Sequence, residues 1–299
     1  MMLSRLRLIV AALLSGALLA CAFPPVNGPW VLWSGLAPLI WAVRRAARGR
    51  DALALGFSAG LVFFLLTLSP LTTADSWTGW VEESPAQYAM RMSHQERFLR
   101  AFGLVLSCWK AVFWALWALV IHRAARRAWR LLVAAPAAWV LIAEWLRAKT
   151  VFGVTWALLG NAVVAFPAIS QLAALGGVWL LSALAVAVNV SVALLMDRRK
   201  LSGPVCAVAA LLACGWLGGR AALHPTRPLG PRQLTVAALQ PPSKASSGED
   251  VFNDWGFDRR VTPLVRAALA DRRVRLLVLP ESVAFGAVSL DGTASHAKP

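Results

Sequence analysis

Apolar residues run in long blocks along the chain, divided by short stretches rich in arginine, proline and glycine. Seven blocks stand out, over 8–23, 30–43, 52–69, 101–121, 131–146, 162–196 and 204–219. A helix needs about 20 apolar residues to cross the hydrocarbon core of a bilayer. Blocks 52–69 and 101–121 meet that need, 162–196 exceeds it, and 30–43 and 204–219 are short and depend on their flanks. The pattern predicts an α-helical integral membrane bundle of about seven transmembrane helices over residues 1–222. Pro24-Pro25 and Asn27-Gly28-Pro29 predict a tight turn into the second block.

Beyond the seventh block the pattern changes. Residues 223–232 read as a linker, with three prolines and a glycine between His224 and Pro231. Gln233 to Gln240 predicts a short buried strand, 241–250 a polar loop, and Asp254 to Ala270 a helix. That helix sets Phe257, Val261, Leu264, Val265, Ala268 and Leu269 at three- and four-residue spacing. Arg275 to Pro280 predicts a second buried strand. Strand, helix and strand in this order open an α/β domain with a parallel sheet, expected over 233–299. In open α/β sheets ligands bind beyond the carboxyl ends of strands. Glu281 follows the second strand directly and is the candidate catalytic carboxylate.

Composition supports the membrane reading. Apolar residues make up 59% of the chain and charged residues 15%, with a mean hydropathy of +0.63. Soluble domains are nearer half apolar and a quarter charged. A disordered chain, a disulfide-knit secreted mini-protein and a collagen-like fibre are excluded. Fifteen Trp stand against one Tyr, and Trp concentrates at membrane–water interfaces.

The net charge of +16 raises nucleic acid as a partner, but the arginines cluster between apolar blocks, where they orient a membrane protein, so no nucleic-acid partner is expected. Arg5, Arg7, Arg44, Arg45, Arg48, Arg50, Arg123, Arg126, Arg127, Arg130, Arg198, Arg199 and Lys200 fall on one side if all seven blocks cross. Arg91, Arg97, Arg100, Arg147 and Lys149 fall on the other. Thirteen against five places the N-terminus in the cytoplasm, and an odd number of crossings delivers 223–299 to the outer side. A competing reading of the N-terminus is a secretory or lipoprotein signal peptide ending at Cys21; the six further blocks favour a first transmembrane helix.

Polar residues inside the blocks are costly and so are candidates for function. Lys110 sits near the middle of the fourth block. Glu144 lies near the outer end of the fifth, three residues before Arg147, a spacing that lets the two pair on one helix face. Asn189 lies in the sixth. Each also has a structural reading, as a snorkelling side chain or an interhelical hydrogen bond. Cys21, Cys108, Cys206 and Cys214 show neither metal-ligand nor disulfide spacing and read as small buried apolar residues. Trp77 and Trp80 read as interfacial anchors, and 87–100 as an amphipathic stretch suited to the membrane surface.

Several ordered motifs then coincide. Phe23-Pro24-Pro25 follows the first block, and Pro136, Trp139 and Glu144-Trp145-Leu146-Arg147 mark the fifth. Gly153, Trp156, Leu159-Gly160, Gln171, Gly176-Gly177, Ser182 and Asn189 follow, and later Gln240, Trp255 and Leu279-Pro280-Glu281. The chain resembles the apolipoprotein N-acyltransferase family, bacterial inner-membrane enzymes whose periplasmic side carries a nitrilase-like (carbon–nitrogen hydrolase) domain. The resemblance implies that 233–299 begins such an αββα sandwich. It also implies an acyl chain passing from a phospholipid donor to the N-terminal diacylglyceryl-cysteine of a lipoprotein, through a cysteine thioester and a Glu–Lys–Cys triad. On it, Glu281 matches the general base and Trp255 a tryptophan near the substrate; no cofactor or metal is implied.

The triad lysine and cysteine have no counterpart here. After Glu281 the sequence carries no Cys and one Lys, Lys298, and a nitrilase-like domain needs roughly 200 residues or more. The expectation is a C-terminally incomplete chain, inactive alone. The alternative is a non-catalytic membrane protein that binds lipid or lipoprotein. A membrane-tethered amidase fails to explain the spans, and a transporter leaves Glu281 unexplained.

Overall fold

A computed structural model describes residues 2–72, 85–124, 127–150, 152–153, 155–197, 203–223, 234–239 and 262–278. Trp77, Trp80, Trp255 and Glu281 lie outside the described residues. The chain divides into two compact units, Met1–Thr73 with His94–Pro225, and Ala74–Ser93 with Thr226–Pro299.

The first unit is helical. α1 spans Met2–Ala20, α2 Ala37–Arg44, α3 Gly49–Thr72 and α4 Pro85–Ala124. α5 covers Ala128–Ala138 and continues as a π-helix over Trp139–Leu146 and an α-helical turn, α6, over Arg147–Lys149. α7 (Leu159–Ala162) and α8 (Pro167–Ser170) are single turns, followed by α9 (Ala173–Met196) and α10 (Gly203–Ala222). Among the described residues, five stretches are long and apolar enough to cross a bilayer: Gly49–Ser69, Arg97–Ala124, Ala128–Lys149, Ala173–Met196 and Val205–Ala222. The protein is a helical membrane bundle. The 87–100 stretch is helical and continuous with the rest of α4.

Two apolar blocks are more broken than their hydropathy suggests. Block 30–43 forms a 3-10 turn, Pro29–Trp33, then the eight-residue α2. At about 1.5 Å per residue α2 is only about 12 Å long, less than half a bilayer core. Block 162–196 is interrupted at Pro167, which supplies no amide hydrogen to continue a helix, and again at Gly176 and Gly177. Gly177 has φ of 62°, a left-handed conformation that glycine adopts without a Cβ penalty.

Small residues set the helix contacts, as expected where lipid supplies no hydrophobic drive between helices. A Cβ on Gly16 of α1 would overlap the Ala59 carbonyl of α3, and Cβ atoms on Gly56 and Gly60 would meet the α4 backbone around Trp114 and Ala111. The close approach of α3 and α4 lets Phe63 stack on Trp114 with centroids 4.9 Å apart. Trp139 from the π-helix then packs edge-on against Trp114 and Trp117, at 4.9 and 4.7 Å. At one end of the bundle Asp197, just past α9, holds Arg44 and, at 2.6 Å, Arg45.

The cysteines correct one expectation. Cys206 and Cys214 are exposed and Cys21 and Cys108 half-buried, because α10 turns most of its surface outward, with only 22% of its span buried.

In the second unit β1 (Thr235–Ala238) and β2 (Val274–Val278) pair in parallel, with α11 (Thr262–Ala270) between them in sequence. Val236 stands opposite Leu276 and Ala238 opposite Val278. The turn into β2 is closed by the Val274 N–H donating to the Asp271 carbonyl. The Arg273 guanidinium and backbone N–H hold the Asp271 carboxyl below its ordinary range.

Candidate functional site

The densest chemistry among the described residues lies inside the bundle, where three charged side chains are buried together. Lys110 on α4 is 2% exposed, Glu144 in the π-helix 1%, and Arg147 on α6 2%. The Arg147 guanidinium lies 5.2 Å from the Phe64 ring centroid, and the Lys110 ammonium 6.0 Å from the same ring. Two cations therefore share one aromatic side chain of α3.

The local backbone explains how Glu144 is held. Pro136 inside α5 lacks an amide hydrogen, and the helix widens to π geometry three residues later. The widened turn brings Trp139 to Glu144, whose Oε1 accepts from the indole Nε1–H at 3.0 Å. The same oxygen accepts from the Leu159 N–H at 2.8 Å, at the first turn of α7. One residue on, the Gly160 N–H donates to Ser182 Oγ of α9 at 2.8 Å. Glu144 thus ties the segment around 159–160 to the bundle.

Arg147 donates from Nε to the Ala143 carbonyl at 2.7 Å and from Nη1 to the Trp156 carbonyl at 3.5 Å. Among the described residues the ammonium of Lys110 has no hydrogen-bond partner. It does not snorkel.

Asn189 is fully buried and all four of its hydrogen-bonding positions are used. Its Oδ1 accepts from Leu36 N–H at 2.8 Å and Ala37 N–H at 3.0 Å, and its Nδ2 donates to the Leu32 and Ala185 carbonyls, each at 2.8 Å. It closes the break between the 3-10 turn and α2, so its place is structural.

Sequence reasoning singled out Lys110, Glu144 and Asn189, and the fold places Lys110 near the Phe64 ring and Glu144 against Trp139. It did not find the π register, the Trp139 donor, the Ser182 contact or Phe64. The available signal was Pro136 three residues ahead of Trp139. Glu281 stands three residues past Val278, the end of β2, outside the described residues.

Fold and buried cluster define a polytopic α-helical membrane protein with a small parallel-sheet unit in its C-terminal part. The profile of the apolipoprotein N-acyltransferase N-terminal domain matches residues 15–82 and 85–191. The chain belongs to the apolipoprotein N-acyltransferase family. An apolipoprotein N-acyltransferase of Allorhizobium ampelinum is 32% identical, aligned over 94% of this chain and 53% of the relative. That of Bradyrhizobium diazoefficiens is 32% identical over 78% of this chain and 42% of the relative. That of Rhodopseudomonas palustris is 28% identical over 91% and 51%. The chain spans about half the length of these curated relatives.

Proposed function

We propose that this chain is the membrane part and the opening of the catalytic domain of an apolipoprotein N-acyltransferase. The reaction moves an acyl chain from a phospholipid to the α-amino group of a diacylglyceryl-cysteine on a lipoprotein, through a cysteine thioester. The observation that carries the reading is the family match through the bundle, which includes Pro136, Trp139, Glu144 and Arg147 of the buried cluster. The parallel pairing of β1 and β2 supports it further, since the chain leaves β2 toward Glu281, where a parallel sheet offers a carboxylate to a ligand.

In this reading Glu281 is the general base and Trp255 lies beside the substrate. A thiol needs a nearby base to become the far better thiolate nucleophile, and the developing oxyanion needs a cation or N–H donors. The sequence carries no Cys after Cys214, so these 299 residues alone are proposed to have no acyl-transfer activity, and to act at most by holding lipid.

The setting proposed is the bacterial inner membrane, crossed seven times when α1 and the Pro29–Arg44 pair of short helices are counted with the five long spans. The arginine distribution supports a cytoplasmic N-terminus and a periplasmic 223–299. A chimera that continues residues 1–299 with the C-terminal half of the Allorhizobium relative tests the reading. It is expected to acylate a diacylglyceryl peptide, and Glu281→Gln within it to lower turnover by about a hundredfold or more at equal expression. Undiminished turnover by that variant would overturn the assignment.

A further inference from the structure

The turn between α4 and α5 carries positive charge without a counter-charge. No Asp or Glu stands between Glu96 and Glu144 in the sequence. Arg123 near the end of α4, Arg127 just before α5 and Arg130 in its first turn are all exposed. Among the described residues, no hydrogen bond or ion pair engages any of these three side chains. His122 places this turn beside the end of α2, its Nδ1 lying 3.3 Å from the Val43 carbonyl. The described acids there are taken elsewhere, Asp197 by Arg44 and Arg45 and Asp51 by the Arg48 N–H.

Packing sets the arginines at one height. The Trp117 indole N–H donates to the Ala135 carbonyl at 2.9 Å, which fixes the register of α4 against α5. Arg123 lies six residues past Trp117 and Arg130 five before Ala135, about 9 and about 7.5 Å along the two axes. The span Ala128–Lys149 has 22 residues, about 33 Å of helix against a core of about 30 Å, so Arg130 stands at the hydrocarbon boundary. The same face is apolar just below. Trp129 is 54% exposed, with the Arg130 guanidinium 5.4 Å from its ring centroid, and Val133 is 65% exposed. Trp129, Val133 and Ala137 are exposed at four-residue spacing and form one stripe down α5. A soluble polyanion would meet the arginines and leave this stripe bare, whereas a phospholipid covers both.

We propose that Arg123, Arg127 and Arg130, with Trp129 and Val133, form an anchoring site for an anionic phospholipid on the outer rim of the bundle. Its phosphate oxygens accept from the guanidiniums, Trp129 lies at the level of the glycerol, and an acyl chain runs along Val133 and Ala137. The lipid is held there and not consumed, because the site is at the end of α5 away from Glu144 and Arg147. The proposal stands on the bundle alone, whichever side of the membrane this end faces, and does not depend on the acyl-transfer reading.

The test uses the 299-residue chain, purified and delipidated in a neutral detergent, with thermal unfolding followed at fixed ionic strength. The probes are dihexanoyl phosphatidylglycerol, dihexanoyl phosphatidylcholine, inorganic phosphate and a single-stranded oligonucleotide. A saturable rise in Tm with phosphatidylglycerol is expected, beyond that given by the other three. No such rise overturns the site, and an equal rise with phosphate or the oligonucleotide assigns a soluble anion and overturns the lipid. Arg123→Gln/Arg127→Gln/Arg130→Gln is expected to weaken half-saturation by phosphatidylglycerol about tenfold or more. The charge-matched control Arg266→Gln/Arg272→Gln/Arg275→Gln, at exposed positions of the second unit, is expected to leave it unchanged. No weakening by the first variant, or equal weakening by both, overturns the site. Should the first variant not accumulate, Arg127→Gln alone, outside both helices, is expected to retain less phosphatidylglycerol in native mass spectrometry than the parent chain. Retention equal to the parent's would overturn the site in the same way.

Discussion

Trp139 and Glu144 stand five residues apart and are joined by an indole-to-carboxylate hydrogen bond of 3.0 Å. In an α-helix, residues at that spacing point about 140° apart around the axis. The π-helix removes the mismatch, since its repeat brings i and i+5 together. The widened turn thus delivers a buried carboxylate to the Leu159 amide.

Trp139→Phe keeps an aromatic ring facing Trp114 and Trp117 but deletes the N–H donor along with part of the ring system. We expect it to lower stability by about 1–3 kcal/mol, the cost of a buried acceptor left short of a partner. Glu144→Gln, whose amide oxygen still accepts from both donors, is expected to cost less than Glu144→Ala. Unfolding of the purified variants in detergent gives the order; Glu144→Ala as stable as Glu144→Gln would show that the two hydrogen bonds carry no weight.

Asn189→Leu preserves volume but strands the amides of Leu36 and Ala37 and the carbonyl of Leu32. With each buried unsatisfied group costing about 1–3 kcal/mol, the variant is expected to loosen the break before α2. A cysteine introduced at Ser34 should then react with a membrane-permeant maleimide faster than in the parent chain. Equal rates would mean that the break is held without Asn189.

The sequence made the helical bundle legible because bilayer crossing imposes a length and an apolarity that can be read residue by residue. It did not reveal the break at Ser34-Gly35, since that is decided by a distant partner: Asn189, 153 residues away, satisfies the Leu36 amide. Glu144 was legible as a costly residue, but its partners were not. The spacing to Arg147 suggested an ion pair on an α-helical face, whereas its hydrogen bonds run to Trp139 and Leu159 through a π register that composition does not mark. The β1–β2 pairing was foreseen, though β1 is shorter than Gln233–Gln240 and β2 begins one residue before Arg275.

Gly215 and Gly219, four residues apart on α10, are taken up within the chain by α8 and the residue that follows its cap. A Cβ on Gly219 would overlap the Ala168 carbonyl and one on Gly215 would press on Leu172, whereas one on Gly218 meets nothing. Gly219→Ala is therefore expected to destabilise by about 1–3 kcal/mol through overpacking. Gly218→Ala should be neutral or slightly stabilising, by up to about 1 kcal/mol of helix propensity. Thermal unfolding of the two variants side by side decides this, and equal effects would mean that α10 does not rest on α8 through this face.

Asp197 serves two arginines at the ends of α2 and α9, with Arg44 and Asp197 largely buried and Arg45 more open. Removing the carboxylate leaves the Arg44 guanidinium without this counter-charge, where simple loss of a surface pair would cost about 0–1 kcal/mol. Because Arg44 is enclosed, Asp197→Asn is expected to cost about 3 kcal/mol or more, and Arg45→Ala about 1 kcal/mol or less. Added salt should change the Arg45→Ala effect but hardly that of Asp197→Asn. Unfolding at low and high ionic strength checks both, and an Asp197→Asn effect that vanishes in salt would show the pair to be solvent-exposed.

The last expectation concerns the parallel pair. Leu234, Val236, Leu276 and Val278 are exposed although they lie in or beside β1 and β2, and Leu269 of α11 is exposed as well. Two strands and one short helix bury too little apolar surface to hold a sheet by themselves. In the 299-residue chain Leu276→Ser should change stability by no more than about 0.5 kcal/mol. Leu39→Ser, in the closed core of the bundle, should cost several times as much. The same imbalance predicts that a protease added to the accessible side of membranes cuts within 234–278 well before it cuts the bundle, and that a hydrophobic dye binds there. Slow cleavage in this segment, or a Leu276→Ser penalty as large as that of Leu39→Ser, would mean that the sheet is already covered. The apolar face seen on β1 and β2 would then belong to an assembled surface, with Val236 and Leu276 inside it.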